Sequence, residues 1–344
     1  MPTRIIYGST GPDMITIPDG RDPSLDYDNI VYGYGANDTI TGGAGNDWIW
    51  GSSSDLGLSV ADNFSGGAGD DVIISWANGS TLDGGAGNDI LIYSGNGPSP
   101  TAGPTVMTGG DGNDQLWALN GGAYTMDGGA GDDLLVGGGG PMIGGAGNDT
   151  IIMTIDQNAS GVRNLGGIGA FGGDGNDTIY ALAGAGPATL YGGAGRDLIV
   201  GNGQGDSLYS GNDNVQDVLI GASGQDSFWI QGVGNSTSGI SVPGLPDALP
   251  HALNSDLIWN FETFTDRLYL DNRPLLNSPN TAYHSTQGYN YDLMLSGTLI
   301  TLDTGDPVTG AYTHTDVVFL AGVNTDIATL MSAGSLTFTN VPLT

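Results

Sequence analysis

The chain has 344 residues, of which 63 are glycine, and its 37 acidic residues against six arginines give a formal net charge of −31. This charge excludes nucleic acid and anionic membranes as expected partners, because both are bound through basic patches. Cysteine is absent, which excludes disulfides and thiolate metal sites. No apolar run approaches the ~20 residues of a membrane-spanning helix. The N-terminus lacks the apolar segment of a cleaved signal peptide.

The acidic residues are almost all of one kind, since the only glutamate is Glu262. A surface that serves only solubility mixes Asp with Glu. The predominance of Asp therefore indicates a short carboxylate that is needed at a fixed place in a turn. Self-repulsion among these charges opposes a compact state unless cations neutralise them.

Along the chain, the first recognisable feature is a nonapeptide, Gly-Gly-x-Gly-x-Asp-x-U-x, in which U is a large apolar residue. Repetition at a short fixed period predicts a solenoid. Close copies span Gly42–Trp50, Gly66–Ile74, Gly84–Ile92, Gly109–Trp117, Gly128–Val136, Gly144–Ile152, Gly172–Tyr180 and Gly192–Val200. Looser copies surround Asp13, Asp38, Asp206, Asp217 and Asp226.

The spacing of the motif aspartates predicts a roll of two parallel sheets in which one nonapeptide makes half a coil, so that a coil takes about 18 residues. Asp38 and Asp47 are half a coil apart and should lie on opposite edges. The later steps are whole coils, which predicts one edge with stacked turns at Asp47, Asp71, Asp89, Asp114, Asp133, Asp149, Asp177 and Asp197.

The opposite edge is expected to carry loops of variable length, at Gly51–Asn63, Ser94–Pro104 and Asp156–Gly169. From Asp197 onward the short spacing returns, so both edges should again carry motif turns. Return strands are expected at Thr81–Asp83, Val106–Thr108, Tyr124–Asp127 and Thr189–Tyr191.

The eighth motif position supplies the predicted core, because one large apolar residue per half coil forms an inward ladder between the sheets. It holds Ile49, Ile73, Leu91, Leu116, Leu135, Ile151, Ile179, Ile199, Leu208, Leu219 and Phe228. The ninth position should point outward, yet it is also apolar, with Trp50, Ile74, Ile92, Trp117, Val136, Ile152, Tyr180, Val200, Tyr209, Ile220 and Trp229. Two interpretations stay open. These residues favour strands and are sheltered by neighbouring side chains and loops, or they form an apolar stripe that a partner can contact.

The turn residues predict calcium as the bound cation. Glycine permits positive φ and leaves carbonyl oxygens unobstructed, and the following Asp can turn its carboxylate back into the loop. Turns stacked about 4.8 Å apart leave oxygen-lined slots between coils. Calcium accepts about six to eight oxygen ligands, whereas zinc prefers His or Cys and magnesium keeps its waters. We expect roughly ten ions, bound by Asp38, Asp47, Asp71, Asp89, Asp114, Asp133, Asp149, Asp177, Asp197, Asp206, Asp217 and Asp226.

The nonapeptide, over about residues 8–230, resembles the repeat of the RTX (repeats-in-toxin) family, which carries hemolysin-type calcium-binding repeats. The resemblance implies a parallel β-roll, type I secretion through an uncleaved C-terminal signal, and folding on external calcium. The aspartates above match the metal-binding positions of the family.

The sequence departs from the family pattern in two places. Arg196 replaces the usual Asn or Asp at position five, which should weaken or reorganise that slot. The long loops of the opposite edge imply a single main calcium column.

The segment Ser255–Asn272 resembles the one that follows the repeats in this family, with Asn260 in place of an acid. Strands are predicted at Thr298–Asp303, Asp316–Ala321 and Leu336–Thr339. The expected fold is all-β: an N-terminal edge with a partial repeat at residues 1–30, a calcium-bound parallel β-roll (RTX solenoid) at 31–230, and a β-rich C-terminal cap domain with the secretion signal at 231–344.

No catalytic site is expected. The histidines His251, His284 and His314 do not form an HExxH motif, and no G-x-S-x-G elbow occurs. The glycines of Gly167–Gly172 spell GxGxxG, but the roll accounts for them. An enzyme acting on a polysaccharide is therefore the least favoured function.

Two functions remain open. The first is a secreted structural protein that assembles with copies of itself into an extracellular surface layer, filament or matrix. The second is a secreted adhesion module whose variable loops contact a glycan, a lipid or a host cell surface.

Overall fold

The structure is a computed structural model that describes residues 4–17, 28–35, 37–51, 61–95, 103–119, 123–154, 168–211, 213, 215–230, 256–259, 261, 266–271, 281–290, 295–305, 312–321, 323, 327–333 and 335–339. The chain divides into two compact units, Met1–Ala170 and Phe171–Thr344. The domain boundaries expected near residues 30 and 230 stay predictions.

The N-terminal unit is built from two parallel sheets, and the chain alternates between them at every strand. Its first sheet contains β1 (Arg4–Tyr7), β3 (Asn29–Tyr32), β5 (Trp48–Trp50), β7 (Val72–Ser75), β9 (Ile90–Tyr93), β11 (Gln115–Ala118), β13 (Leu134–Gly137) and β15 (Thr150–Met153). Its second sheet contains β2 (Met14–Thr16), β4 (Thr39–Ala44), β6 (Asn63–Ala68), β8 (Thr81–Ala86), β10 (Thr105–Asp111), β12 (Tyr124–Ala130) and β14 (Met142–Ala146). The predicted parallel β-roll is confirmed. The strand β16 (Ile168–Asp174) spans the division between the units.

The C-terminal unit repeats the alternation and then departs from it. One sheet contains the parallel strands β17 (Thr178–Ala181), β19 (Leu198–Val200), β21 (Val218–Ile220) and β23 (Asp256–Trp259). β23 pairs in parallel with β27 (Tyr312–Ala321), after which β26 (Leu295–Gly305) and β25 (Thr281–Asn290) follow antiparallel. The other sheet contains β18 (Ala188–Ala194), β20 (Ser207–Tyr209), β22 (Ser227–Ile230), β24 (Arg267–Asp271) and β28 (Leu336–Thr339).

The three strands predicted near the C-terminus lie within β26, β27 and β28. A short helix, α1 (Ile327–Ser332), precedes the last of them. Within the described ranges, no helix has the length and apolar character that crossing a bilayer requires. The C-terminal end of the chain is thus β-rich, as the sequence predicts.

The core of each unit is the ladder of eighth-position side chains, all of which are buried. In the N-terminal unit the second sheet contributes a matching inward row, which includes Phe64, Leu82, Met107 and Met126. Burial alternates along each strand, as in β9, where Leu91 and Tyr93 are buried and the residues before them are partly exposed. This period of two is what a strand between a core and solvent requires.

The second-sheet strands run further than predicted, because they continue through the glycine pair of the motif. Gly85 has φ +111° and Gly87 has φ +134°, values that side chains rarely permit. A Cβ on Gly85 would also press on the carbonyl oxygen of Gly67 in the preceding coil. The glycines therefore let adjacent coils approach closely enough to keep the sheet paired into the turn.

Replacing Leu116 with alanine is expected to lower the free energy of unfolding by about 2–4 kcal/mol, because the side chain is fully buried between two neighbouring coils. Urea unfolding at saturating calcium measures the loss. The control is Gln115→Ala, the exposed residue beside it, which should change stability by less than about 0.5 kcal/mol. Equal losses in both variants would contradict the assignment of the core.

Candidate calcium-binding edges

The turns of the close motif copies, and the turn before Asp217, run from the second sheet to the first, and this connection forms one edge of each unit. The motif aspartate immediately precedes each first-sheet strand there and is buried in every case. In the N-terminal unit this edge carries Asp47, Asp71, Asp89, Asp114, Asp133 and Asp149. In the C-terminal unit it carries Asp177, Asp197 and Asp217.

A ladder of hydrogen bonds links the aspartates of this edge. The backbone N–H of Asp47 donates to Oδ1 of Asp71, and that of Asp71 donates to Oδ1 of Asp89, each at 2.7 Å. In the C-terminal unit the N–H of Asp177 donates to Oδ1 of Asp197 at 2.9 Å. Each carboxylate is thereby held in one orientation by the adjacent coil, with one of its two oxygens already bonded.

The second carboxylate oxygen points back into its own turn. The Oδ2 atoms of Asp47, Asp71, Asp89, Asp114 and Asp133 are buried and accept no hydrogen bond. A Cβ on Gly66 would press on Oδ2 of Asp71 and would lie 2.6 Å from the carbonyl oxygen of Gly84 in the next coil. A carboxylate oxygen and a carbonyl oxygen from adjacent coils therefore converge on one space that glycine leaves open.

Burial changes the acidity of these groups. Desolvation raises the pKa of Asp71 to about 8, and the charges of Asp89 and Asp47 add to the rise. Burial likewise raises the pKa of Asp133 to about 7 and that of Asp47 to about 6. At neutral pH Asp71 therefore stays largely protonated unless a cation compensates its charge.

Calcium fits this donor set. An unbonded buried carboxylate oxygen costs free energy unless a cation or donor meets it, and hard oxygen ligands are the kind that calcium prefers. Among the described residues, no group of three or more His, Cys, Asp or Glu side chains is placed to hold a metal ion by itself. Backbone carbonyls would thus complete each site, together with the motif aspartates. When bound, calcium supplies positive charge that keeps the carboxylates ionised inside the fold.

The opposite edge of the N-terminal unit begins with carboxylates as well. The N–H of Asp13 donates to Oδ1 of Asp38 at 3.0 Å, and that of Asp38 donates to Oδ1 of Asp62 at 3.2 Å. In the C-terminal unit the N–H of Asp226 donates to Oδ1 of Asp266 at 3.1 Å. This edge of that unit also carries Asp206, as predicted, and its N–H donates to Asp226.

Sequence reasoning missed Asp62 and Asp266. Neither follows a glycine-rich turn, which is the signal used to find the others. Both do begin the shorter pattern Asp-x-U, with Phe64 and Leu268 as the inward apolar residues. That tripeptide, combined with the strand pairing of the second sheet, identifies Asp62 and Asp266 as members of the opposite edges.

Beyond Asp62, neutral groups replace carboxylates on the opposite edge. The N–H of Asp62 donates to Ser80 Oγ at 3.0 Å, and Ser75 Oγ donates to Oδ2 of Asp62 at 3.5 Å. Further along, Thr105 Oγ1 and the Tyr124 hydroxyl accept from backbone N–H groups at 3.1 and 2.8 Å. Large parts of the three loops predicted on this edge lie outside the described residues.

The fifth motif position forms a second ladder that the sequence did not reveal. The N–H of Asn88 donates to Oδ1 of Asp70 at 2.8 Å, and the N–H of Asn113 donates to Oδ1 of Asn88 at 2.9 Å. These bonds run toward the preceding coil, opposite to those of the sixth position. A short side chain with a carbonyl-type oxygen is needed here, which explains why Asn and Asp occupy this place.

Arg196 occupies the fifth position where this ladder changes. Its backbone N–H still donates to Oδ1 of Asn176 at 2.9 Å, but a guanidinium has no acceptor for the next coil. The neighbouring Gly195 N–H instead donates to the carboxylate of Asp213. A carboxylate from the looser copy around Asp217 thus contacts this turn, and the effect of Arg196 on the slot stays a prediction.

The structure describes no side chain for the three histidines and the one glutamate that the sequence singled out. His251 and Glu262 lie outside the described residues. His284 and His314 lie on β25 and β27, in positions whose side chains the structure does not describe.

Comparison with known families gives a match along this chain. A family model described as "RTX calcium-binding nonapeptide repeat (4 copies)" matches residues 25–55, 56–91, 101–122, 125–141, 142–152, 170–185 and 182–215. A search of curated proteins gave no match. The matched segments contain the predicted metal-binding aspartates from Asp38 to Asp206, and Asp217 and Asp226 follow them.

Replacing Asp114 with asparagine is expected to remove about one or two bound calcium ions, because each motif carboxylate borders two slots. Asn keeps the Oδ1 that accepts from Asp89 at 2.7 Å, so the substitution removes charge and leaves the ladder bond. Calorimetric titration counts the ions. The matched control is Asp127→Asn on the exposed face of β12, which removes the same charge. Equal losses in both variants would show that only net charge matters.

Acidification in a chelator is expected to increase β-structure. Burial raises the pKa values of Asp47, Asp133 and Asp71 to about 6, 7 and 8, against 3.8 as the ordinary value. Between these values the folded chain binds more protons than the unfolded chain, so the free energy of unfolding falls as pH rises. Circular dichroism at about pH 5 and about pH 8 tests this. More β-structure at the higher pH would contradict it.

Proposed function

The chain belongs to the RTX calcium-binding repeat family, and from that premise we propose that it is a secreted structural protein. It folds on calcium outside the cell and assembles with copies of itself into a surface layer, filament or matrix. The observation that carries this proposal is the stack of five buried carboxylates along an edge of the N-terminal unit, each with an Oδ2 that accepts no hydrogen bond: Asp47, Asp71, Asp89, Asp114 and Asp133.

Calcium supports folding through mass action. A cation that binds the folded chain and not the unfolded chain shifts the equilibrium toward the fold. Calcium sites in extracellular modules have dissociation constants of about 10⁻⁴ to 10⁻³ M, well above cytosolic levels of the free ion. A chain with a net charge of −31 would therefore stay unfolded until export and fold in a calcium-rich medium, with roughly ten ions bound.

The use of the carboxylates favours a structural role over a catalytic one. Acid–base chemistry needs a carboxyl group that a substrate can reach. The motif aspartates are instead at most 2% exposed, and each bonds to the coil beside it. The alternative function, adhesion through variable loops, depends on segments that lie largely outside the described residues, and it stays a prediction.

Electron microscopy and light scattering with and without calcium test the proposal. The chelated chain should be monomeric and expanded, and millimolar calcium should produce regular assemblies with β-structure, whereas equal magnesium should not. Monodisperse monomers at millimolar calcium would overturn the assembly. Binding of such monomers to a glycan array would favour the adhesion module instead.

A further inference from the structure

The first sheet of the N-terminal unit has an outward surface that we call the first outer face. Its side chains alternate along each strand with the buried core residues, so two rows point away from the core. The face consists of Ile5, Tyr7, Ile30, Tyr32, Trp48, Trp50, Val72, Ile74, Ile90, Ile92, Gln115, Trp117, Leu134, Val136, Thr150 and Ile152.

The first outer face is uncharged on a strongly acidic chain. Apart from Gln115 and Thr150, every one of its residues is apolar or aromatic, whereas the whole chain has 37 acidic residues. The outward side of the second sheet in the same unit differs, since it carries polar residues on most strands, such as Asn63, Asp83 and Asp127. Strand propensity alone acts equally on both sheets, so it does not explain this difference.

The side chains of the face shelter one another only in part. The ninth-position residues are half-buried, and Ile5, Tyr7 and Trp48 are 56%, 63% and 48% exposed. The rings of Tyr7 and Tyr32 stack at 5.5 Å with an angle of 12° between their planes. Two interpretations of the apolar ninth position were open. Shelter by neighbouring side chains accounts for part of the burial of these residues. The rest of their apolar surface is exposed to solvent and is available to a partner.

The charge distribution indicates what covers this face. An anionic membrane would be repelled by the chain's net charge of −31. The carboxylate edges of two copies would repel each other because both are negatively charged. The first outer faces of two copies are uncharged and can come together without such repulsion. We propose that the first outer face packs against the same face of a second copy, in a self-complementary contact. This inference rests on the proposed function and names its contact surface.

The dimensions suit a weak, repeated contact. Eight strands spaced about 4.8 Å apart make the face roughly 34 Å long, and its two rows lie about 7 Å apart. Packing two such sheets about 10 Å apart buries on the order of 1,000 Å², which is at the lower limit for specific interfaces. Association through this face therefore needs the folded sheet, and each contact joins two copies.

A pair of substitutions on neighbouring strands tests the contact. Ile74 and Ile92 lie side by side in register, and Thr at both places keeps the strand propensity and removes apolar area. Ile74→Thr with Ile92→Thr should raise the dissociation constant of the pair at least about tenfold. The matched control is Val106→Thr with Ile143→Thr, exposed on the second sheet, which should change it less than about twofold.

Cross-linking gives an independent readout in a chain without cysteine. Gln115→Cys, exposed on the sixth of the eight strands of the face, should form a disulfide between copies under mild oxidation in calcium. Thr81→Cys, exposed on the second sheet, should not form one.

The outcomes separate this contact from the proposed function. Assembly that persists in the Ile74→Thr, Ile92→Thr variant, with equal cross-linking from both cysteines, would overturn only the contact through the first outer face. Wild-type monomers in calcium would overturn the proposed function as well, and their flotation with phosphatidylcholine vesicles would assign the face to lipid.

Discussion

A buried carboxylate with one oxygen bonded and one oxygen unbonded is the constraint on which the rest of this fold depends. The adjacent coil holds the first oxygen through its backbone, as between Asp71 and Asp89, so the carboxylate cannot turn toward solvent. The second oxygen faces glycine and carbonyl groups, and neither donates to it. A proton or a cation would satisfy this oxygen, and a bound cation would thereby become part of the folding reaction.

The glycines of the motif make room for the buried carboxylates and for the close approach of adjacent coils. The space beside Asp71 exists because Gly66 has no side chain, and the coils come together because Gly85 leaves room for the carbonyl of Gly67. The high glycine content would otherwise favour an unfolded chain, since glycine loses the most freedom on ordering. The motif accepts that entropic cost because no other residue brings carbonyl oxygens and carboxylates so close.

The sequence predicted features that repeat locally and missed features that depend on pairing between coils. The motif predicted the edge from Asp47 to Asp149 and the inward row of core residues. This was possible because each nine-residue copy contains the turn, the metal-binding position and the core residue together. Asp62 and Asp266 have no such turn, and only the register of the second sheet brings them into line with Asp38 and Asp226. The change to hydroxyl groups at Ser80 is likewise visible only once neighbouring coils are placed.

The two side-chain ladders of the metal edge point in opposite directions along the stack. The sixth position bonds to the following coil, as Asp89 does with Asp114, and the fifth position bonds to the preceding one, as Asn88 does with Asp70. Each coil from Asp71 to Asp133 therefore presents the same two connectors on each side. Duplication or deletion of an entire coil leaves matching ends at the join, so genetic changes in repeat number can lengthen or shorten such an array without inventing a new junction.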